Sequence, residues 1–63
     1  MWDMIIKKEL NKTIINLNTN SIQKSEARTK LNNLIKLTRT NVQKGHKREL
    51  KNNIFKVKKR FKI

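Results

Sequence analysis

With no proline and one glycine among 63 residues, this chain has almost no means of interrupting a helix or of turning sharply between strands. Its apolar residues fit that constraint. Near the C-terminus Leu50, Ile54, Val57 and Phe61 recur at steps of four, three and four, which lays them along one side of a helix. Trp2, Ile5, Ile6, Leu10, Ile14 and Leu17 keep to one side of a first segment. Ile22, Ala27, Leu31, Leu34, Ile35, Leu37 and Val42 form the stripe of a second. Between these two, NLNTNS (16–21) is the best loop, because Asn, Thr and Ser hydrogen-bond their own backbone and compete with helix.

The expected fold class is all-α, a single unit over 1–63 with helices at about 2–17, 22–44 and 46–62. A short N-terminal helix precedes a long antiparallel helical hairpin hinged at Gly45, which follows Lys44 where a helix end takes a left-handed residue. The hairpin packs Leu31, Leu34, Ile35 and Val42 against Leu50, Ile54, Val57 and Phe61 in the manner of a coiled coil. The first helix lies across the hairpin or docks elsewhere. Asp3 suits the positive end of its dipole. Asn20 or Ser21 is placed to cap the second helix, with Gln23 returning the bond to Asn20, and Glu26 and Lys30 are spaced to pair along it.

Charge points to a partner. Seventeen Lys and Arg face four Asp and Glu, a formal net charge of +13. Self-repulsion on that scale opposes compaction and favours a polyanion. The charge is graded: residues 1–20 carry +1, 21–45 carry +5 and 46–63 carry +7. A core this small is close to the folding limit. Much of the chain's order is therefore expected to come from binding, with helicity only partial in low salt and rising with RNA.

Other classes find little support. Without Cys there is neither a disulfide framework nor a thiolate metal site. One His and four acids offer no catalytic constellation, so no catalytic residue, metal or cofactor is expected, and His46 reads as a turn residue or a phosphate contact. No apolar run approaches the roughly 20 residues of a membrane span. The opening MWDMIIKKEL is too charged for a signal peptide, and its acids set it apart from a mitochondrial presequence. Thirteen Lys against four Arg, with nine Asn and eight Ile, indicate an AT-rich genome.

The candidate binding residues follow from the stripes. With the third stripe turned inward, Lys47, Arg48, Lys51, Lys58, Lys59, Arg60 and Lys62 lie outward or along the flanks. Lys36, Arg39 and Lys44 extend that surface across the hinge, and Arg28 joins them with Glu26 close enough to blunt it. Such residues hold phosphates without reading bases. Phe55 falls off the stripe and is read as a residue that widens the hairpin core, with stacking on an unpaired base as its functional alternative. Trp2 is read as an anchor for the first helix.

Two stretches resemble a known family. LIKLTRTNVQKG (34–45) and ELKNNIFKV (49–57) are similar to the arms of the large-subunit ribosomal proteins numbered twenty-nine in the universal nomenclature. Leu34, Ile35 and Leu37 match the apolar positions of the first arm, and Leu50, Lys51, Ile54, Lys56 and Val57 fall in register with the second. Arg39 lies two places after Leu37 where the family has one, and Phe55 replaces an Ala. The resemblance implies a helical hairpin lying on ribosomal RNA beside the polypeptide exit tunnel, with Lys51 and Lys56 as RNA contacts.

The function expected is that of a structural RNA-binding protein, a small ribosomal protein bracing rRNA by phosphate neutralisation. Its partners are then rRNA and neighbouring ribosomal proteins, with no small-molecule substrate and no membrane association. Its location is a ribosome, mitochondrial or otherwise organellar, or else cytoplasmic in a low-GC organism. The rival readings are a small DNA-binding regulator, an amphipathic membrane-surface peptide and a subunit of a larger complex.

Overall fold

The computed structural model describes all 63 residues and contains three α-helices, α1 (Trp2–Asn18), α2 (Lys24–Asn41) and α3 (Lys44–Arg60). Each helix has one apolar side and cannot shield it alone. The three meet around Ile6, Leu10 and Leu17 of α1, Ala27, Leu31 and Leu34 of α2, and Leu50, Ile54 and Val57 of α3. Ile14, Ile22, Ile35, Leu37, Val42, Phe61 and Ile63 pack around that centre. The chain runs up, down and up. Trp2 and Asp3 sit beside Asn41–Gln43, while Leu10 and Ile14 flank Asn53 and Val57 farther along. The first helix therefore completes a three-helix bundle, packing on both arms and more extensively on α2 than on α3.

The all-helical expectation holds, and the stripes choose the buried faces with instructive exceptions. Thr13 and Thr38 lie fully inside, although their hydroxyls mark them as polar. Each solves its own problem by donating to a carbonyl one turn back, Thr13 Oγ1 to Glu9 at 2.9 Å and Thr38 Oγ1 to Leu34 at 2.8 Å. No buried side-chain nitrogen or oxygen lacks a partner. Ile5, counted in the first stripe, stands half exposed, because Ile6 takes the core position beside it. Trp2 is 41% exposed and only edges the end of the bundle.

The connectors depart most from expectation. The reversal between α2 and α3 is made by Val42 (φ −104°, ψ 141°) and Gln43 (φ −63°, ψ 149°), both extended. Gly45 is not the hinge: it lies inside the first turn of α3, and no glycine has a positive φ. A β-branched residue favours the extended conformation, so Val42 ends α2 three residues early and its side chain covers the core.

At the other connector, Asn20 does not cap α2 but terminates α1. It adopts φ 57°, its N–H bonds to Leu17 O at 3.3 Å, and Ser21 N–H bonds to Asn16 O at 2.8 Å. This is the Schellman arrangement, which satisfies the last carbonyls of a helix. Lys62 (φ 56°) and Ile63 repeat it on Lys59 and Lys58 at the end of α3. Gln23 caps α2 without a side-chain bond. Glu26 and Lys30 form no ion pair; the one ion pair joins the Met1 ammonium to Asp3 at 3.0 Å.

Gly45 supplies a sharp test of this geometry. A Cβ added there meets nothing within 4 Å. Gly45→Ala is expected to raise stability by up to about 1 kcal/mol, since a helical glycine costs backbone entropy that alanine does not. A left-handed hinge would give the opposite sign. Ile54→Ala, by contrast, should cost about 2–5 kcal/mol and abolish a cooperative transition in so small a bundle. Urea titration followed by circular dichroism at 222 nm reads both.

Candidate nucleic-acid interface

Helical spacing assembles one basic face from two helices. On α2 the residues Arg28, Asn32, Ile35 and Arg39 follow one another at steps of four, three and four along the flank that meets α3. On α3 Lys44, Lys47, Lys51 and Lys58 follow at steps of three, four and seven on the flank that meets α2, with Arg48, Phe55 and Lys59 just outside it. The two flanks are joined directly: Lys58 Nζ donates to Asn32 Oδ1 at 3.0 Å, the one side-chain hydrogen bond between helices. Exposed as it is, that bond contributes little energy. It does locate α3's cations beside α2's.

Shallow surface grooves mark this face. Asn32, Ile35, Lys36, Arg39 and Thr40 line one, and Lys44, Lys47, Arg48, Lys51, Asn52 and Phe55 line the other. Lys47, Lys51 and Lys58 are half-buried on the flank of α3 that meets α2, as lysines are when the stem covers apolar surface and the ammonium stays in water. Phe55 is 50% exposed and does not join the core, which corrects the expectation that it widens the hairpin interior. Its ring points away because Ile54, one residue earlier, already fills the inward position.

The acids are the more telling half of the pattern. Glu9 lines the groove between α1 and α2 with Lys30, Asn33 and Leu37. Glu26 shares the side of α2 that carries those three residues. Glu49 shares the side of α3 that carries Asn53 and Lys56, which line the α1–α3 groove. Asp3 sits at the start of α1, where the Met1 ammonium hydrogen-bonds its carboxyl and holds it below the usual value. All four acids thus lie off the α2/α3 face.

The expected binding residues divide accordingly. Arg28, Lys36, Arg39, Lys44, Lys47, Arg48, Lys51, Lys58 and Lys59 share the α2/α3 face. Lys56 lines the groove between α1 and α3 with Lys7, Leu10, Asn11 and Ile14. Arg60 lies on the Glu49 side, its guanidinium 5.6 Å from the centre of the Phe61 ring. Lys62 follows the end of α3 in a left-handed conformation. Asn32, Ile35 and Asn52 line the face as well; the spacing that links Asn32 and Ile35 to Arg28 and Arg39 was the available signal for two of them. His46 occupies the corner formed by Trp2 and the α2–α3 turn, apart from the basic grooves.

A second surface lies on α1. Met1, Met4, Ile5 and Ile15 are exposed there, interleaved with Lys8 and Lys12. No helix is long and apolar enough to cross a membrane. Comparison with known proteins gives no match to any family model, curated protein or solved structure.

Cations one helical turn apart repel by about 0.7 kcal/mol per pair in water. Raising ionic strength from about 0.01 M to about 0.1 M shortens the screening length from about 30 Å to about 10 Å. The thermal midpoint and the helical signal of the free protein should therefore both rise across that range. Lys51→Gln should reproduce part of the rise at the low end. A midpoint indifferent to salt would show that the α2/α3 cations do not strain the fold.

Proposed function

We propose that the protein is a non-catalytic, structural RNA-binding component of a ribonucleoprotein, in the first instance a ribosomal protein that braces rRNA by neutralising phosphates. The observation that carries this reading is the separation of charge. Nine cations share the α2/α3 face and every acid lies elsewhere. A merely solvated surface would mix the signs. Lys and Arg on rigid helices displace condensed counterions from a phosphate backbone, and no enclosed cavity or catalytic group is needed. The likeness of residues 34–45 and 49–57 to the exit-tunnel hairpin proteins supports the same choice of particle. The exposed apolar residues of α1 suit a neighbouring ribosomal protein.

A sequence-reading DNA regulator fits less well. The two-residue reversal at Val42–Gln43 is shorter than the three- or four-residue turn of a helix-turn-helix, and the basic face is spread over two helices instead of one recognition helix.

Two measurements test the proposal. A lysate of the source organism, run on a sucrose gradient before and after a high-salt wash, should carry this chain with the large ribosomal subunit in stoichiometric amount. Migration at the top of the gradient would reject the ribosome. For the face itself, the combined substitution Arg39→Gln, Lys47→Gln and Lys51→Gln should reduce the slope of log K against log salt for RNA by about two to three, near one unit per lost cation. The control pair Lys12→Gln and Lys30→Gln, on the other side, should leave the slope near its original value. Equal losses from both sets would remove the assignment of the face.

A further inference from the structure

Resting on the proposed RNA-binding role, we infer that Phe55 is a stacking platform for one unpaired nucleobase, so that the α2/α3 face takes a bulged or single-stranded nucleotide in preference to an uninterrupted duplex. Phe55 is half exposed at mid-face, and its ring takes no part in the core cluster. On the helix it stands one turn from Lys51 and Asn52 on one side and one turn from Lys58 and Lys59 on the other. Lys44, Lys47, Arg48, Lys51 and Asn52 line the groove that it closes.

That combination selects its occupant by chemistry. An apolar protein surface laid on Phe55 would have to desolvate the ammonium groups around it, at a cost the single ring does not return. A nucleotide satisfies both parts at once: its base covers the ring and its flanking phosphates meet the cations before and after it. Bases inside a duplex have no face free to stack on a side chain, so only an unpaired one fits. Asn52, which shares the groove with Phe55 and carries both a donor and an acceptor, would bond the edge of that base, whereas the lysines hold phosphate without regard to sequence.

The experiment places a fluorophore at the platform. In the double variant Trp2→Phe, Phe55→Trp, the one indole lies at position 55. It is titrated with an RNA duplex carrying a single bulged nucleotide and with the same duplex fully paired, at matched salt. Quenching that saturates at one bulged duplex per protein, together with salt-dependent binding of the paired duplex without quenching, is the expected result. Phe55→Ala should lose roughly ten-fold or more in affinity for the bulged RNA and little for the paired one, with Phe55→Leu close to Phe55→Ala because a branched aliphatic offers no face. Equal affinities for both RNAs in the parent protein, or Phe55→Ala without effect on the bulged form, would overturn the inference while leaving the phosphate-binding face intact. Binding to neither RNA removes the RNA reading and this inference together. Quenching by an acidic peptide but by neither duplex assigns the platform to a protein partner and overturns both.

Discussion

The bundle depends on how few apolar side chains must hold how many like charges together. Residues 21–63 alone carry fourteen basic against two acidic side chains. Their hairpin would bring only Ala27, Leu31, Leu34, Leu50, Ile54 and Val57 to the core centre. The first helix changes that balance. It contributes Ile6, Leu10 and Leu17 together with two of the four acids, so it enlarges the core while adding a net charge of only +1 over residues 1–20. It also packs against the side of the hairpin that carries Glu26 and Glu49. The repulsion is left concentrated on the opposite side, at the α2/α3 seam, where no neighbour in this chain relieves it.

The seam is tolerable because lysine is two things at once. At Lys47, Lys51 and Lys58 the aliphatic stem belongs to the fold and the ammonium belongs to the surface. The same residues that flank the core therefore build the field that attracts an anion. This answers why so basic a third helix keeps a strict apolar rhythm: Leu50, Ile54 and Val57 hold it to the bundle, and the positions between them are free to be charged. It also explains why Phe55 matters more than its one-residue displacement from the stripe suggests. A large ring on the outer line is a cost to the free protein, and on the proposed reading a nucleobase laid on it would offset that cost.

What the sequence made legible was whatever repeats with the helical period. The element type, the choice of Leu31, Leu34, Leu50, Ile54 and Val57 as core, and the outward direction of most α3 cations all follow from steps of three and four. The connectors were not legible, because they turn on single residues with several uses. Gly45 has the composition of a hinge, yet Val42 and Gln43 accomplish the reversal in ordinary extended conformations. Asn20 has the composition of an N-cap, yet the same side chain tolerates the left-handed conformation that ends α1. Thr13 and Thr38 escaped notice because a polar label hides how readily a helical hydroxyl is satisfied by its own backbone. The side of α3 on which Lys56 and Arg60 fall depends on where α1 docks, and that is a property of three helices together.

The sorting of surfaces has a consequence for how such a protein would sit in an assembly. A ribonucleoprotein component has to meet RNA on one side and protein on another, and a single amphipathic helix offers only one free side once its apolar stripe is buried. A three-helix bundle offers more: here the α2/α3 side is cationic and the outer side of α1 exposes Met1, Met4, Ile5 and Ile15. The α1 surface carries Lys8 and Lys12 among its apolar residues, two cations against the nine of the α2/α3 side. Under the proposed role the two sides are set by one packing decision, the docking of α1 on the acid-bearing flank of the hairpin. An α2–α3 hairpin without α1 would uncover Val57 and Leu37 in place of a defined second surface. Under the proposed role, the added helix supplies that second surface from within the chain itself.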